Sequence, residues 1–154
     1  MLNIDKKEID ERLPIQEVST GLPFIIVPLK GLDALRRVKI NKDKYFDLIK
    51  NLEAKAILVF CPETYNKENH LNVRVFADYY GVSEDPATGS ANGCLAAYLT
   101  RYRYFGKSKI NIRVEQGYEI NRPSLLFLKA EEKDGEIEVN VDGKVVMVAR
   151  GEFV

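Results

Sequence analysis

One stretch, residues 90–104, constrains this chain more than any other. Apolar side chains fall at Ala91, Cys94, Leu95, Tyr98, Leu99 and Tyr102, the i, i+3, i+4, i+7 spacing of a helix face. Ala96 and Ala97 fill much of the opposite side, and no charged residue stands between Ser90 and Thr100. A helix that is apolar around most of its circumference has no face to offer to water, so other elements must enclose it. Gly93 and the alanines would let those elements approach its backbone closely. Arg101 and Arg103 bring polarity back near the C-terminal end, where cations suit the helix dipole.

The enclosing material reads as strands. Residues 15–19 and 24–29 form two β-prone runs divided by the turn signal Thr20-Gly21-Leu22-Pro23. Residues 55–61 predict a buried strand stopped by Pro62, and residues 71–77 alternate as a half-buried strand does. Further strands are expected at 110–115, 124–131, 136–141 and 144–149, with Asp134-Gly135 and Asp142-Gly143 as hairpin turns. Residues 32–38 suit a helical turn. Residues 42–52 suit a helix, with Tyr45, Leu48, Ile49 and Leu52 on one face. Residues 63–69 read as a polar loop, and residues 78–89, rich in turn formers and acids, as no regular element. The expected fold class is α+β: a curled, mostly antiparallel sheet wrapped around a central α-helix. The polar residues 1–13 read as a linker-like segment or short surface helix, and residues 14–154 as one lobe.

Composition narrows the function. The chain has 154 residues, 45% hydrophobic and 30% charged, which suits one ordinary core. Its 23 Lys and Arg balance 23 Asp and Glu, so nothing calls for nucleic acid or an acidic membrane surface as a partner. One His and two Cys are too few for a Cys/His metal cage, and they leave no Ser-His-Asp triad beyond what His70 alone could anchor. No window approaches a membrane span and the N-terminus lacks the order of a secretory signal, so a cytoplasmic setting is expected. In that setting Cys61 and Cys94 read as buried reduced thiols. His70 reads as a solvated surface histidine. The run Arg101-Tyr102-Arg103-Tyr104 interleaves bases and aromatics as single-strand binders do, but the helix stripe already explains Tyr102.

Chemistry concentrates at the start of the central helix. A helix N-terminus carries backbone N–H groups without intrahelical partners, and Gly89 lets a ligand approach the main chain. Thr88 and Ser90 add hydroxyls, so together they suit a carboxylate or phosphate. Asp85 could accept or relay a proton, or simply cap the turn. Spacing alone favours the plainer reading of an Asp-Pro turn and a Thr or Ser cap. A nucleotide P-loop does not fit, because no Gly-Lys-Ser/Thr follows.

The run Glu84-Asp85-Pro86-Ala87-Thr88-Gly89-Ser90-Ala91 resembles the signature of the PhzF-like (phenazine-biosynthesis) family, which has the diaminopimelate epimerase-like fold. Val18-Ser19-Thr20-Gly21-Leu22-Pro23-Phe24 through Leu29 resembles the opening of that family's second half. Arg74-Val75-Phe76-Ala77 resembles the strand before the signature, and Val148-Ala149-Arg150-Gly151 its C-terminal end. The resemblance runs from about Pro14 to Val154 and implies the C-terminal half only. It implies cofactor-independent isomerisation, with no metal, moving a proton on a small carboxylate-bearing molecule held between two similar lobes. By the motif, Asp85 falls on the family's active-site aspartate, and Thr88, Gly89, Ser90 and Ala91 on the substrate-binding helix start. Cys94 does not match the catalytic cysteines of related epimerases and reads as packing.

The family's principal acid/base glutamate and its Gly-His pair lie in a first half that has no counterpart here. Two readings follow. In one, the chain is an isomerase lobe, inactive alone and completed by a separate N-terminal-half protein; Met1 then falls in what resembles the family's interdomain linker. In the other, it is a non-catalytic half-fold, a homodimer in which a second copy replaces the missing half, binding small carboxylates or serving as an interaction module. A hotdog-like thioester hydrolase shares the wrapped-helix architecture but wants a carboxylate near the central helix, and residues 90–100 offer none.

Overall fold

The structure, a computed structural model, describes residues 1–154. Its strands are β1 (Gln16–Ser19), β2 (Pro23–Pro28), β3 (Ala56–Cys61), β4 (Leu71–Ala77), β5 (Val82–Asp85), β6 (Lys109–Gln116), β7 (Ser124–Lys133) and β8 (Glu136–Gly143). Its α-helices are α1 (Leu32–Arg37), α2 (Lys42–Ile49) and α3 (Gly89–Arg101). The strands form one sheet in the order β1-β2-β3-β4-β6-β7-β8, with β5 added to β4. Pairings are antiparallel except β2 with β3 and β4 with β6. The sheet curls around α3, as the uncharged helix required.

Enclosure of α3 is nearly complete. Ala91, Cys94, Leu95, Ala96, Tyr98 and Leu99 are buried, and they share one core with inward residues of β2, β3, β4, β6 and β7. Each fully buried leucine contributes roughly 1.5–3 kcal/mol. Val139 and Val141 of β8 close the far side. The expected close approach occurs at Gly93: a Cβ there would lie 3.3 Å from Thr20 Oγ1 and within 4 Å of Val139 and Val141. The helix ends at Arg101, three residues before the end of the 90–104 stretch expected to be helical. Arg103 takes a left-handed φ of 52°, and the Arg103 and Tyr104 amides bond back to Thr100 and Leu99 carbonyls, a Schellman closure.

The other face of β2–β4 carries a second core. Ile25, Val27, Leu29, Ile57, Val59, Cys61 and Phe76 pack there against Leu35 of α1 and Tyr45 and Ile49 of α2. These strands are therefore buried on both faces, which corrects the half-buried reading of residues 71–77. Its polar positions Asn72 and Arg74 lie under α1 and neighbouring loops rather than in water. The N-terminal segment joins this second core: Leu2 is buried, the Lys39 amide donates to Leu2 O, and Ile9 bridges Leu29. One 3-10 turn, Lys6–Glu8, is closed by an Asp5–Glu8 capping box.

The two Asp-Gly pairs part company. Asp134 and Gly135 take φ of 52° and 84° and turn β7 into β8 as a tight hairpin. Asp142 and Gly143 do not turn. They stay on the β7 ladder opposite Phe127 and Leu126, with no positive φ, so no hairpin forms there. The expected strand at 144–149 is absent in consequence, and Val145, Val146, Met147 and Val148 are more than four-fifths exposed. Residues 78–89 hold more order than expected: a 3-10 turn at Asp78–Tyr80, then β5. Both cysteines are free and buried, and His70 is exposed, accepting the Arg113 amide at Nδ1.

Candidate functional site

The site is built where β5 hands over to α3. Between its pairings with Val75 and Ala77, β5 carries one residue more than β4, because Asp85 faces Val75 while Val82 faces Ala77. Such a bulge re-aims side chains. Pro86 follows Asp85 and rests on Gly117, whose φ of 81° and lack of a Cβ allow the contact; a methyl there would meet Pro86 O at 2.9 Å. The chain then enters α3 with Thr88 at the N-cap.

Thr88 does not cap. Its hydroxyl donates to Asp85 Oδ2 at 2.5 Å instead of accepting from the first-turn amides, so no side chain caps α3. Gln116, at the end of β6, fills the space behind. Its Nε2 donates to Asp85 O at 2.6 Å and Thr88 Oγ1 at 2.9 Å. Its Oε1 accepts from the Thr88 amide at 3.3 Å and Asn92 Nδ2 at 2.8 Å. Asn92 Nδ2 also donates to Thr88 O at 2.9 Å, and both amide side chains are fully buried.

Asp85, Thr88, Gly89 and Ser90 are thus gathered in one place, Asp85 and Thr88 half-buried, Gly89 and Ser90 exposed. Ala91 differs: its methyl belongs to the core around α3, leaving only its amide to face the helix end. An open groove of about 500 Å³ runs from Ala87 and Gly89 past Ser124 and Leu125 to Asp142 and Lys144. The arrangement offers first-turn amides for an anion and a carboxylate that forms no ion pair beside them.

Gln116 and Asn92 were not singled out from the sequence, yet a signal exists for each. Gln116 continues the inward register of Ile110, Ile112 and Val114, so it is a polar residue on an apolar face. Asn92 stands one turn after Thr88 in a helix otherwise without polar core residues before Thr100. Away from the site, burial pushes the Cys61 thiol up to about 12, so it is no nucleophile near neutral pH. No helix is long and apolar enough to cross a membrane.

A curled sheet around a buried helix whose N-terminus stays open defines an α+β fold. The chain belongs to the PhzF-like family: the model of the family described as "Phenazine biosynthesis-like protein" matches residues 1–151, beginning before the motif resemblance does. It is 31% identical to an uncharacterized isomerase of Clostridium acetobutylicum over 99% of this chain and 52% of that protein. It is 34% identical to the trans-2,3-dihydro-3-hydroxyanthranilate isomerase of Pseudomonas fluorescens over 94% of this chain and 49% of that protein. A PhzF-family crystal structure from Bacillus anthracis superposes with a TM-score of 0.82 at 30% identity, covering 91% of this chain and 48% of the other. The chain spans about half the length of the curated relatives it matches.

Proposed function

We propose that this chain is the C-terminal lobe of a PhzF-like isomerase that moves a proton on a small carboxylate-bearing substrate without a cofactor. The observation that carries the reading is the uncapped α3 N-terminus beside Asp85. The amides of Gly89, Ser90 and Ala91, with the hydroxyl of Ser90, hold the substrate carboxylate; the same preorganised dipoles stabilise charge that develops next to it. Asp85 accepts or steers the proton. A relative named for isomerising a hydroxyanthranilate, itself a carboxylate, agrees with this substrate class.

The reading includes a companion lobe, either a separate N-terminal-half protein or a second copy of this chain, and no activity for the lobe alone. The exposed apolar residues Val145 to Val148 support a companion surface. The test has two parts. Benzoate titrated into the isotope-labelled chain should shift the amide resonances of Gly89, Ser90 and Ala91 saturably; an unmoved helix start would remove the carboxylate site. Light scattering of the purified chain should give a dimer if the companion is a second copy, and a monomer would leave the separate protein as the completing lobe.

A further inference from the structure

Why does Thr88, a good capping residue at an N-cap, leave its helix uncapped? The hydrogen-bond chain around Gln116 contains the answer, because two backbone carbonyls fix every orientation in it. Thr88 O can only accept, so the Asn92 group 2.9 Å away is its amide nitrogen. That nitrogen is a donor, as is the Thr88 backbone N–H, so the Gln116 atom facing both is Oε1. Gln116 Nε2 therefore points at Asp85 O, which can only accept, and at Thr88 Oγ1. With Oγ1 already accepting from Gln116, its single proton goes to Asp85 Oδ2, 2.5 Å away. Asn92 keeps its own Oδ1 buried without a partner, a cost accepted to hold this order.

We infer that Gln116, aligned by Asn92, is a positioning residue that holds the Thr88 hydroxyl away from α3. The diverted Thr88 hydroxyl thereby leaves the first-turn amides free for an anion and is itself the neutral donor to the Asp85 carboxylate. This deepens the carboxylate-binding reading above, but its core, the diversion of a capping hydroxyl, stands apart from any ligand.

Removing the Gln116 amide frees Thr88 to cap. In Gln116→Met, the hydroxyl turns to the Ser90 or Ala91 amide, whose hydrogen exchange slows, and benzoate binds roughly fivefold more weakly because the cap must first be displaced. Adding Thr88→Val removes the hydroxyl, so the double variant regains the parent's Ser90 and Ala91 exchange rates to within about twofold. A merely structural role for Gln116 predicts the reverse, since a second cavity-lining change would add to the damage. A Gln116→Met chain whose Ser90 and Ala91 exchange matches the parent overturns the inference, as does a double variant no better than the single. If Gln116→Met does not fold, Thr88→Val alone decides. It leaves Ser90 and Ala91 exchange unchanged if the hydroxyl is diverted, whereas marked acceleration shows that Thr88 caps the helix and overturns the inference. Benzoate indifference of the parent chain sinks the carboxylate site while the exchange measurements still judge the diversion.

Discussion

Glu84 and Asp85 are adjacent acids on the same short strand, and the molecule treats them oppositely. Glu84 meets Arg74 in a two-pronged ion pair, 2.9 Å to Nε and 2.7 Å to Nη2, with both side chains nine-tenths buried. Arg74 Nη1 reaches on to Leu35 O and Val38 O, each at 2.9 Å, so the pair also fastens the end of α1 to β4. Asp85 forms no ion pair; its carboxylate takes the Thr88 hydroxyl, a neutral donor. A bidentate guanidinium immobilises a carboxylate and fills its lone pairs. A single neutral donor orients one and leaves it capacity to handle a proton. Neighbouring residues of one motif thus divide into a clamp and a candidate site according to what covers each face of β5.

The largest test of that division is Arg74→Met. It leaves Glu84 buried and unpaired and withdraws donors from α1, so urea unfolding should show a loss of about 3–5 kcal/mol. Arg74→Met with Glu84→Leu should recover most of it, since an apolar pair of similar volume removes the unpaired charge. A loss below about 1 kcal/mol in the single variant would mean that the pair fastens nothing. Next in size is Gly117→Ala, on the Asp85 side. The left-handed backbone strains any side chain, and a Cβ there would collide with Arg122 O and lie 2.9 Å from Pro86 O, so there is no room for a methyl. The expected loss is about 2–3 kcal/mol, with shifted resonances for Pro86 to Gly89. Stability loss with an undisturbed 86–89 segment would show that Gly117 does not seat the site.

Much of this architecture is legible in the sequence. The uncharged circumference of α3 demanded a wrapping sheet, and Asp134-Gly135 marked a real hairpin because both residues can take positive φ. Asp142-Gly143 carries the same local signal but is overruled by ladder pairing with Phe127 and Leu126, a long-range contact that no turn propensity contains. The burial of Asn72 and Arg74 was hidden for the same reason: alternation in one strand cannot report a second layer laid over its polar face. Asp85, Thr88, Gly89, Ser90 and Ala91 stand in one contiguous motif and could be read as a unit. Gln116 lies 28 residues from Thr88 in the chain, and only the β4–β6 pairing and the curl of the sheet bring it behind α3.

The smallest structural effect carries the sharpest consequence. Asp85→Asn keeps an oxygen that can accept from Thr88 and removes no ion pair, so unfolding should change by less than about 1 kcal/mol. In a complex reconstituted with the proposed companion lobe, turnover should nevertheless fall by roughly 10²–10⁴, the range for a displaced general acid/base group. Benzoate titration of the α3 amides should stay close to the parent, because the proposed anion site consists of backbone N–H groups and not of this side chain. Unchanged turnover would remove Asp85 from the chemistry. A stability loss as large as that of Arg74→Met would make Asp85 a second clamp, and the contrast between the two faces of β5 would collapse. The combination of intact fold, intact anion binding and lost turnover is the one result that a capping or packing role for Asp85 cannot produce.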